Sequence, residues 1–227
     1  MVKAVLFDMD GVLYDSLPTH VQAYGDVLSK WGLKAEPEDI YMMEGRTGHT
    51  TIDIIIQQNW GRNATQEEKE TIYAQKAKRF VELYKSAILM PGAIDVLEKV
   101  KQLGLTRIIV TGSGQPTLFN NLHTNFPSFF DKNLMVTAYD VKYGKPHPEP
   151  YLMGLKKANL KPEEAVAIEN APLGVESAVA AGLYTIAVNT GPLADEILLK
   201  AGAHSLFPSM KALAEASIWD KIKPLIQ

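Results

Sequence analysis

The chain contains no cysteine, which removes disulfides, thiolate metal sites and cysteine nucleophiles together. It has no apolar run approaching the roughly 20 residues of a membrane-spanning helix. Its start, Met1-Val2-Lys3-Ala4-Val5-Leu6-Phe7-Asp8, reaches a charge too soon for a secretory leader, whose apolar region needs roughly 7–15 residues. No clustered run of Lys and Arg is present and the formal net charge is −3, which argues against nucleic acid as a partner. Internal repeats and low-complexity stretches are missing as well. What remains, 46% hydrophobic and 22% charged residues, is the composition of an ordinary globular protein. The expectation is a cytoplasmic monomer that meets free small metabolites and no membrane. Its 227 residues suffice for one main domain plus a smaller inserted one.

Short β-rich apolar runs recur at residues 3–7, 105–110, 134–137, 165–168 and 184–188, with amphipathic segments between the last four. That alternation predicts parallel strands joined by crossover helices, an α/β core. Pro91-Gly92 opens a stretch with Ile94, Leu97, Val100 and Leu103 at helical spacing, which Gly104 stops. Residues 149–158, 172–181 and 192–201 read as helices with a proline at or near each start. Residues 16–86 carry only helical stripes: Leu17, Val21, Tyr24, Leu28 and Trp31; then Ile52, Ile55 and Ile56; then Ile72, Ala77, Phe80, Val81 and Tyr84. A helical insert leaving the end of the first strand would lie over the ligand crevice of such a sheet as a lid. The expected division is a core of residues 1–15 and 87–227 with a cap of 16–86.

Four polar segments end β runs or follow them. In Phe7-Asp8-Met9-Asp10-Gly11, alternate positions on an extended segment face one way, so both carboxylates can share a site, and Gly11 allows close approach of an anion. A carboxylate pair on such a loop suits Mg2+, with one carboxylate attacking phosphorus and the other moving a proton. In Val110-Thr111-Gly112-Ser113-Gly114, two hydroxyls and the amides around Gly112 make a cradle for a phosphoryl group, although a plain turn has the same composition. Lys145, in Tyr143-Gly144-Lys145-Pro146-His147-Pro148, sits on a loop stiffened by proline and can neutralise Asp8. In Ile168-Glu169-Asn170-Ala171-Pro172, an acid and an amide can complete an oxygen cage, while helix capping by Asn170 is the competing reading. In this fold class all four converge on one crevice.

In this order Asp8-Met9-Asp10-Gly11-Val12, Thr111, Lys145-Pro146 and Glu169-Asn170 resemble the four motifs of the haloacid dehalogenase superfamily, in its β-phosphoglucomutase-like branch. The resemblance implies a Rossmann-like parallel sheet with a small α-helical cap hinged near residues 15–17 and 87–91. It implies Asp8 as nucleophile, Asp10 as general acid and base, Thr111 as phosphoryl ligand and Lys145 as charge neutraliser. It further implies Mg2+ held by Asp8, the Asp10 backbone carbonyl and the fourth motif, Glu169 and Asn170. His20 and Lys76 match cap positions that couple proton transfer to closure in the mutases of this branch. The mutases' cap arginine for a second phosphate is replaced by His49, with Arg46 three residues earlier.

Two departures go together. Asn170 stands where the fourth motif usually carries a second acid, and Glu44 precedes Gly45-Arg46-Thr47 in the cap. A Glu44 carboxylate reaching the metal on closure would restore the missing charge and shrink the pocket. The combination resembles inorganic pyrophosphatases of this branch, with Arg46, Lys76 and His20 facing the second phosphoryl group and Gly112 and Ser113 the first. Pyrophosphate is therefore the expected substrate, with a sugar-phosphate mutase or a sugar-phosphate or phosphoglycolate-type phosphatase as alternatives.

Overall fold

The computed structural model describes residues 1–114 and 116–222. Six parallel strands form one sheet in the order β3-β2-β1-β4-β5-β6: β1 (Ala4–Phe7), β2 (Thr106–Val110), β3 (Met135–Val136), β4 (Ala165–Glu169), β5 (Tyr184–Val188) and β6 (Ser205–Phe207). The strand order reverses at β1, and an open parallel sheet binds its ligand just past the carboxyl ends at such a point. Between β1 and β2 run α1 (Leu17–Leu28), α2 (Pro37–Met42), α3 (Gly48–Trp60), α4 (Gln66–Leu83) and α5 (Ala93–Gln102). The crossovers beyond use α6 (Pro116–Asn125), α7 (Glu149–Ala158), α8 (Pro172–Ala180) and α9 (Asp195–Lys200), and the described chain ends on α10 (Met210–Ala214) and α11 (Ile218–Ile222). No helix among the described residues is long and apolar enough to cross a membrane.

The sheet is buried on both faces, as parallel sheets require. One face packs Val5, Phe7, Ile109 and Ile168 against α5, α10 and α11, and the other packs Leu6, Ile108 and Ala167 against α7 and α8. Helices α1 to α4 have a core of their own, built on Tyr24, Val27, Ile52, Ile55, Ile56 and Ile72. Ala23, Phe80 and Tyr84 turn instead into the main core. The two connections to this helical lobe lie side by side: Tyr14 bridges Leu89 antiparallel, the Asp15 amide donates to Ile88 O at 2.9 Å and the Met90 amide to Leu13 O at 2.9 Å.

Three details differ from the sequence expectation. Val81 and Ile94, read as members of apolar stripes, are 48% and 43% exposed; their helices turn neighbouring positions inward. The short helix α2 carries one buried apolar residue, Ile40, too little for a stripe, and is defined by Pro37 and a capping box between Glu36 and Asp39. The edge strand β6 is three residues long and only half buried, so it shows no strong apolar run.

Candidate functional site

Asp8 follows the last residue of β1, and its amide still donates to Ile168 O at 3.0 Å, so its side chain leaves the sheet at a fixed height. The chain then turns at Gly11, with φ of 85°, and a Cβ there would lie 2.0 Å from Asn170 Nδ2. Only glycine fits this turn. Thr190 Oγ1 fastens the loop by donating to Gly11 O at 2.6 Å. Asp8, Thr111 and Asn170 thus stand at the ends of the neighbouring strands β1, β2 and β4, all nearly buried.

Lys145 joins them from the loop after β3. Its Nζ donates to Asp8 Oδ1 at 2.6 Å, to Glu169 Oε1 at 2.5 Å and to Val110 O at 3.1 Å. Burial alone would lower its affinity for a proton, but the charges of Asp8 and Glu169 raise it above the ordinary lysine range, so it is a fixed cation. Burial pushes the Asp8 carboxyl well up; Lys145 opposes the shift while Glu169 and Asp10 add to it. Glu169, expected among the metal ligands, makes several hydrogen bonds of its own. Oε1 accepts from Lys145 and, at 2.6 Å, from Tyr151, and Oε2 accepts from the Asn170 amide at 3.1 Å. Gly174, in the first turn of α8, makes room for it, since a Cβ there would fall 2.1 Å from the carboxyl carbon. Glu169 therefore seats Lys145 through Oε1.

Asp10 lies in a different setting. Its Oδ1 accepts from Ser16 Oγ at 2.5 Å and faces His20 Nε2 at 3.5 Å. Lys76 donates to the other ring nitrogen, Nδ1, at 2.6 Å, which leaves the proton of the neutral ring on Nε2, toward Asp10. Burial pushes Asp10 up, but the approach of His20, the Ser16 hydroxyl and the Lys76 charge outweigh it and hold the carboxyl below its ordinary value. His20 is itself lowered by burial and by Lys76. Lys76, 3% exposed and lying over Tyr24 and Phe80 at 4.6 and 5.4 Å, is brought down to about 8 by burial.

Glu44, Arg46, Gly112 and Ser113 meet Asp10, His20 and Lys76 around one cavity of about 40 Å³ between the helical lobe and the sheet. Glu44 is pushed up to about 7 by burial and then by Asp10, against Lys76, the Gly45 amide and Lys145. The loop carrying it sits directly on the loop of residues 111–114: a Cβ on Gly112 would lie 2.5 Å from Gly45 O. Thr111 Oγ1 accepts from the Ser113 amide at 3.0 Å, closing that loop on itself. Arg46 lines the same cavity; burial lowers its hold on its proton, and the charge of Glu176 on α8 opposes that shift.

Whether these residues suit a divalent cation is decided by their donors. Asn170 Oδ1 is buried without a hydrogen-bond partner, an uncommon condition that a bound ion relieves. Asp8, pushed up by burial and then by the charges of Glu169 and Asp10, gains from a cation in the same way. Asp8 and Asn170 offer carboxylate and amide oxygens, donor types that suit Mg2+; no group of three or more His, Cys, Asp or Glu is placed to hold a metal ion among the described residues.

Three residues in the site carried no local signal. Ser16 looks like a helix cap, yet it makes no capping bond and gives its hydroxyl to Asp10. Tyr151 reads as one apolar position of α7, and Thr190 as part of a turn; their partners are distant in the chain.

The comparisons with known proteins accord with this geometry. The profile of the haloacid dehalogenase-like hydrolases matches residues 2–182. The phosphorylated carbohydrates phosphatase of Thermotoga maritima is 33% identical over 90% of this chain and 94% of its own length. Hexitol phosphatase A of Escherichia coli is 32% identical over 82% of this chain and 83% of its own. A solved structure from Bacteroides vulgatus, described as a candidate β-phosphoglucomutase, is 52% identical with a TM-score of 0.91, covering 97% of this chain and 88% of that one. With the family profile spanning both the helical lobe and the strands that carry Asp8, Thr111 and Asn170, the chain belongs to the haloacid dehalogenase-like hydrolases, in their β-phosphoglucomutase-like branch.

Proposed function

We propose that this chain is a Mg2+-dependent phosphotransfer hydrolase in which Asp8 takes the phosphoryl group of a small phosphorylated metabolite as an aspartyl-phosphate. The observation that carries this reading is the opposite setting of two aspartates on one loop: Asp8 is paired with a buried Lys145, and Asp10 faces a histidine and a serine hydroxyl. Lys145 holds Asp8 Oδ1, which assigns the in-line attack on phosphorus to the other oxygen. As the bond to the leaving oxygen breaks, Asp10 gives that oxygen a proton; the phosphoryl charge beside Asp10 raises its pKa toward the range in which it can donate. In the second step the Asp10 carboxylate takes a proton from water, which attacks the aspartyl-phosphate and frees phosphate and Asp8. Lys145 and the Thr111 and Ser113 groups balance charge on the phosphoryl oxygens. Mg2+, held by Asp8, the Asp10 carbonyl and Asn170, would neutralise the same oxygens.

The carbohydrate-directed names of the Thermotoga and Escherichia relatives make a phosphorylated carbohydrate the first substrate class and displace pyrophosphate from first place. A specific observation keeps pyrophosphate as the second reading: Glu44 and Lys76 line a cavity of about 40 Å³, room for only a few waters. Release of phosphate over its return to a second hydroxyl is supported by His49, which stands where the mutases carry their cap arginine and packs edge-on against Tyr73 at 5.5 Å. A phosphate-release panel of hexose phosphates, hexitol phosphates and pyrophosphate tests this. Carbohydrate esters are expected to lead. Pyrophosphate leading in the wild type, with that preference lost in Glu44→Ala, would establish the second reading. Sugar-phosphate interconversion without free phosphate would make the chain a mutase.

The role of Glu44 has a separate test. Between the ordinary 4.5 and about 7 the folded chain keeps a Glu44 proton that the unfolded chain has lost, so this group destabilises the closed arrangement as pH rises through that window. A cation binding Glu44 must displace the proton. Near pH 6, Mg2+ binding to the wild type is expected to release about one proton more than binding to Glu44→Gln, and the difference vanishes above about pH 8. Calorimetry in two buffers of different ionisation enthalpy measures it. Equal proton release from both proteins would remove Glu44 from the ligand set.

A further inference from the structure

A second cleft, of about 440 Å³, lies where residues 142–147 meet the start of α3, with Arg46 and Lys145 in its wall. In a chain whose formal charge is −3, no Asp or Glu lines this cleft among the described residues. Lys145 is consumed by Asp8 and Glu169. Arg46 and Lys142 are different: neither forms an ion pair among the described residues, and Arg46 Nε is buried without a hydrogen-bond partner. The Lys142 ammonium rests over the Tyr143 ring at 4.9 Å, on the wall of the cleft, and Tyr143 in turn packs against His147 with the rings tilted and their centroids 4.8 Å apart. Thr47 and Thr50 add hydroxyls. The nearby acids are otherwise employed. Glu149 accepts from the Lys142 and Tyr143 amides at 3.0 and 2.9 Å and stands 4.0 Å from His147, while Glu176 faces Arg46 from α8 without reaching an ion pair. Two cations that form no ion pair among the described residues, with Glu176 acting on Arg46 and Glu149 on Lys142 only at longer range, stand with an imidazole and two hydroxyls around one cleft, a setting for a tetrahedral dianion.

We propose that this cleft binds inorganic phosphate, and that phosphate released at Asp8 passes through it, handed across by Arg46, which lines both cavities. The source of the phosphate rests on the phosphotransfer reading; the site does not. Calorimetric titration of the wild type with inorganic phosphate, without substrate, is expected to show two sites. The double variant Lys142→Ala, His147→Gln is expected to weaken one of them at least tenfold and keep the other. A wild type with a single site, or a variant that retains both, overturns the proposal. The route is read in steady state: phosphate inhibits the wild type in a mixed pattern and the double variant competitively. If both sites bind but the inhibition pattern does not change, the passage of product through the cleft is refuted. If no phosphoester is hydrolysed at all, the phosphotransfer reading falls while calorimetry still judges the cleft.

Discussion

Replacing Asp8 by asparagine is expected to reduce turnover by roughly four orders of magnitude or more, the scale on which loss of a covalent nucleophile acts, while leaving the fold in place. The second half of that expectation follows from the local electrostatics. Asp8 is 4% exposed, and burial pushes its carboxyl well up, so the folded chain gains little from its charge. Asparagine has nearly the same shape, and Lys145 keeps Glu169 as a partner. Thermal unfolding should therefore remain within about 1 kcal/mol of wild type, inside the range of mild substitutions. Phosphate release from the preferred substrate, followed with excess Mg2+, is the measurement. Residual activity above about 1% of wild type would show that another group attacks phosphorus.

Lys145→Ala is expected to fail in both respects. The ammonium is 2% exposed and compensates two carboxylates that are 4% and 0% exposed. Its removal leaves Asp8 and Glu169 as like charges in a buried site, a loss of about 3–5 kcal/mol for breaking such an arrangement. For a chain of this length that corresponds to a melting temperature lower by roughly 6–20 °C. The pH dependence has a definite sign. Without Lys145, which opposes the upward push of burial on Asp8, the Asp8 carboxyl is held protonated in the folded chain above the pH at which the unfolded chain releases the proton, so stability falls as pH rises through that window. The deficit should be small in mild acid and full at neutral pH. Glu169→Gln placed in the Lys145→Ala background is expected to recover part of the stability and none of the activity. A thermal deficit that is independent of pH and untouched by the second substitution would mean that Lys145 acts through packing alone.

That Asp8, Thr111, Lys145 and Asn170 gather at one candidate site was legible in the sequence because each ends a strand or lies on a strand-to-helix loop. Asp8 and Asp10 precede a glycine with φ of 85°, and Asn170 lies between β4 and a proline-started α8; short-range patterns mark such places well. The exact bounds of α7 were readable because Pro148 precedes it and Asn159, at φ of 53°, stops it. Contacts between distant segments were not readable. The sequence places Glu169 beside Asn170 and so suggests a shared ligand role, but whether a carboxylate faces the crevice or Lys145 and Tyr151 depends on the space left by Gly174. The same holds for Arg46, which feels the charge of Glu176 from a different helix.

The paired segments at Leu13–Asp15 and Ile88–Met90 set how the helical lobe can travel if it serves as the proposed cap. Two independent tethers would let the lobe slide, tilt and rotate. Joined by the Asp15 to Ile88 and Met90 to Leu13 hydrogen bonds and the Tyr14 to Leu89 bridge, they form a two-stranded ribbon, stiff against stretching and shear and compliant mainly in twist. The lobe then has one soft coordinate and returns along a single track to the position in which Gly45 meets Gly112. Such a track limits the lateral error with which Glu44 and Lys76 arrive over Asp10, and errors of about 1 Å at a reacting centre cost on the order of a hundredfold in rate.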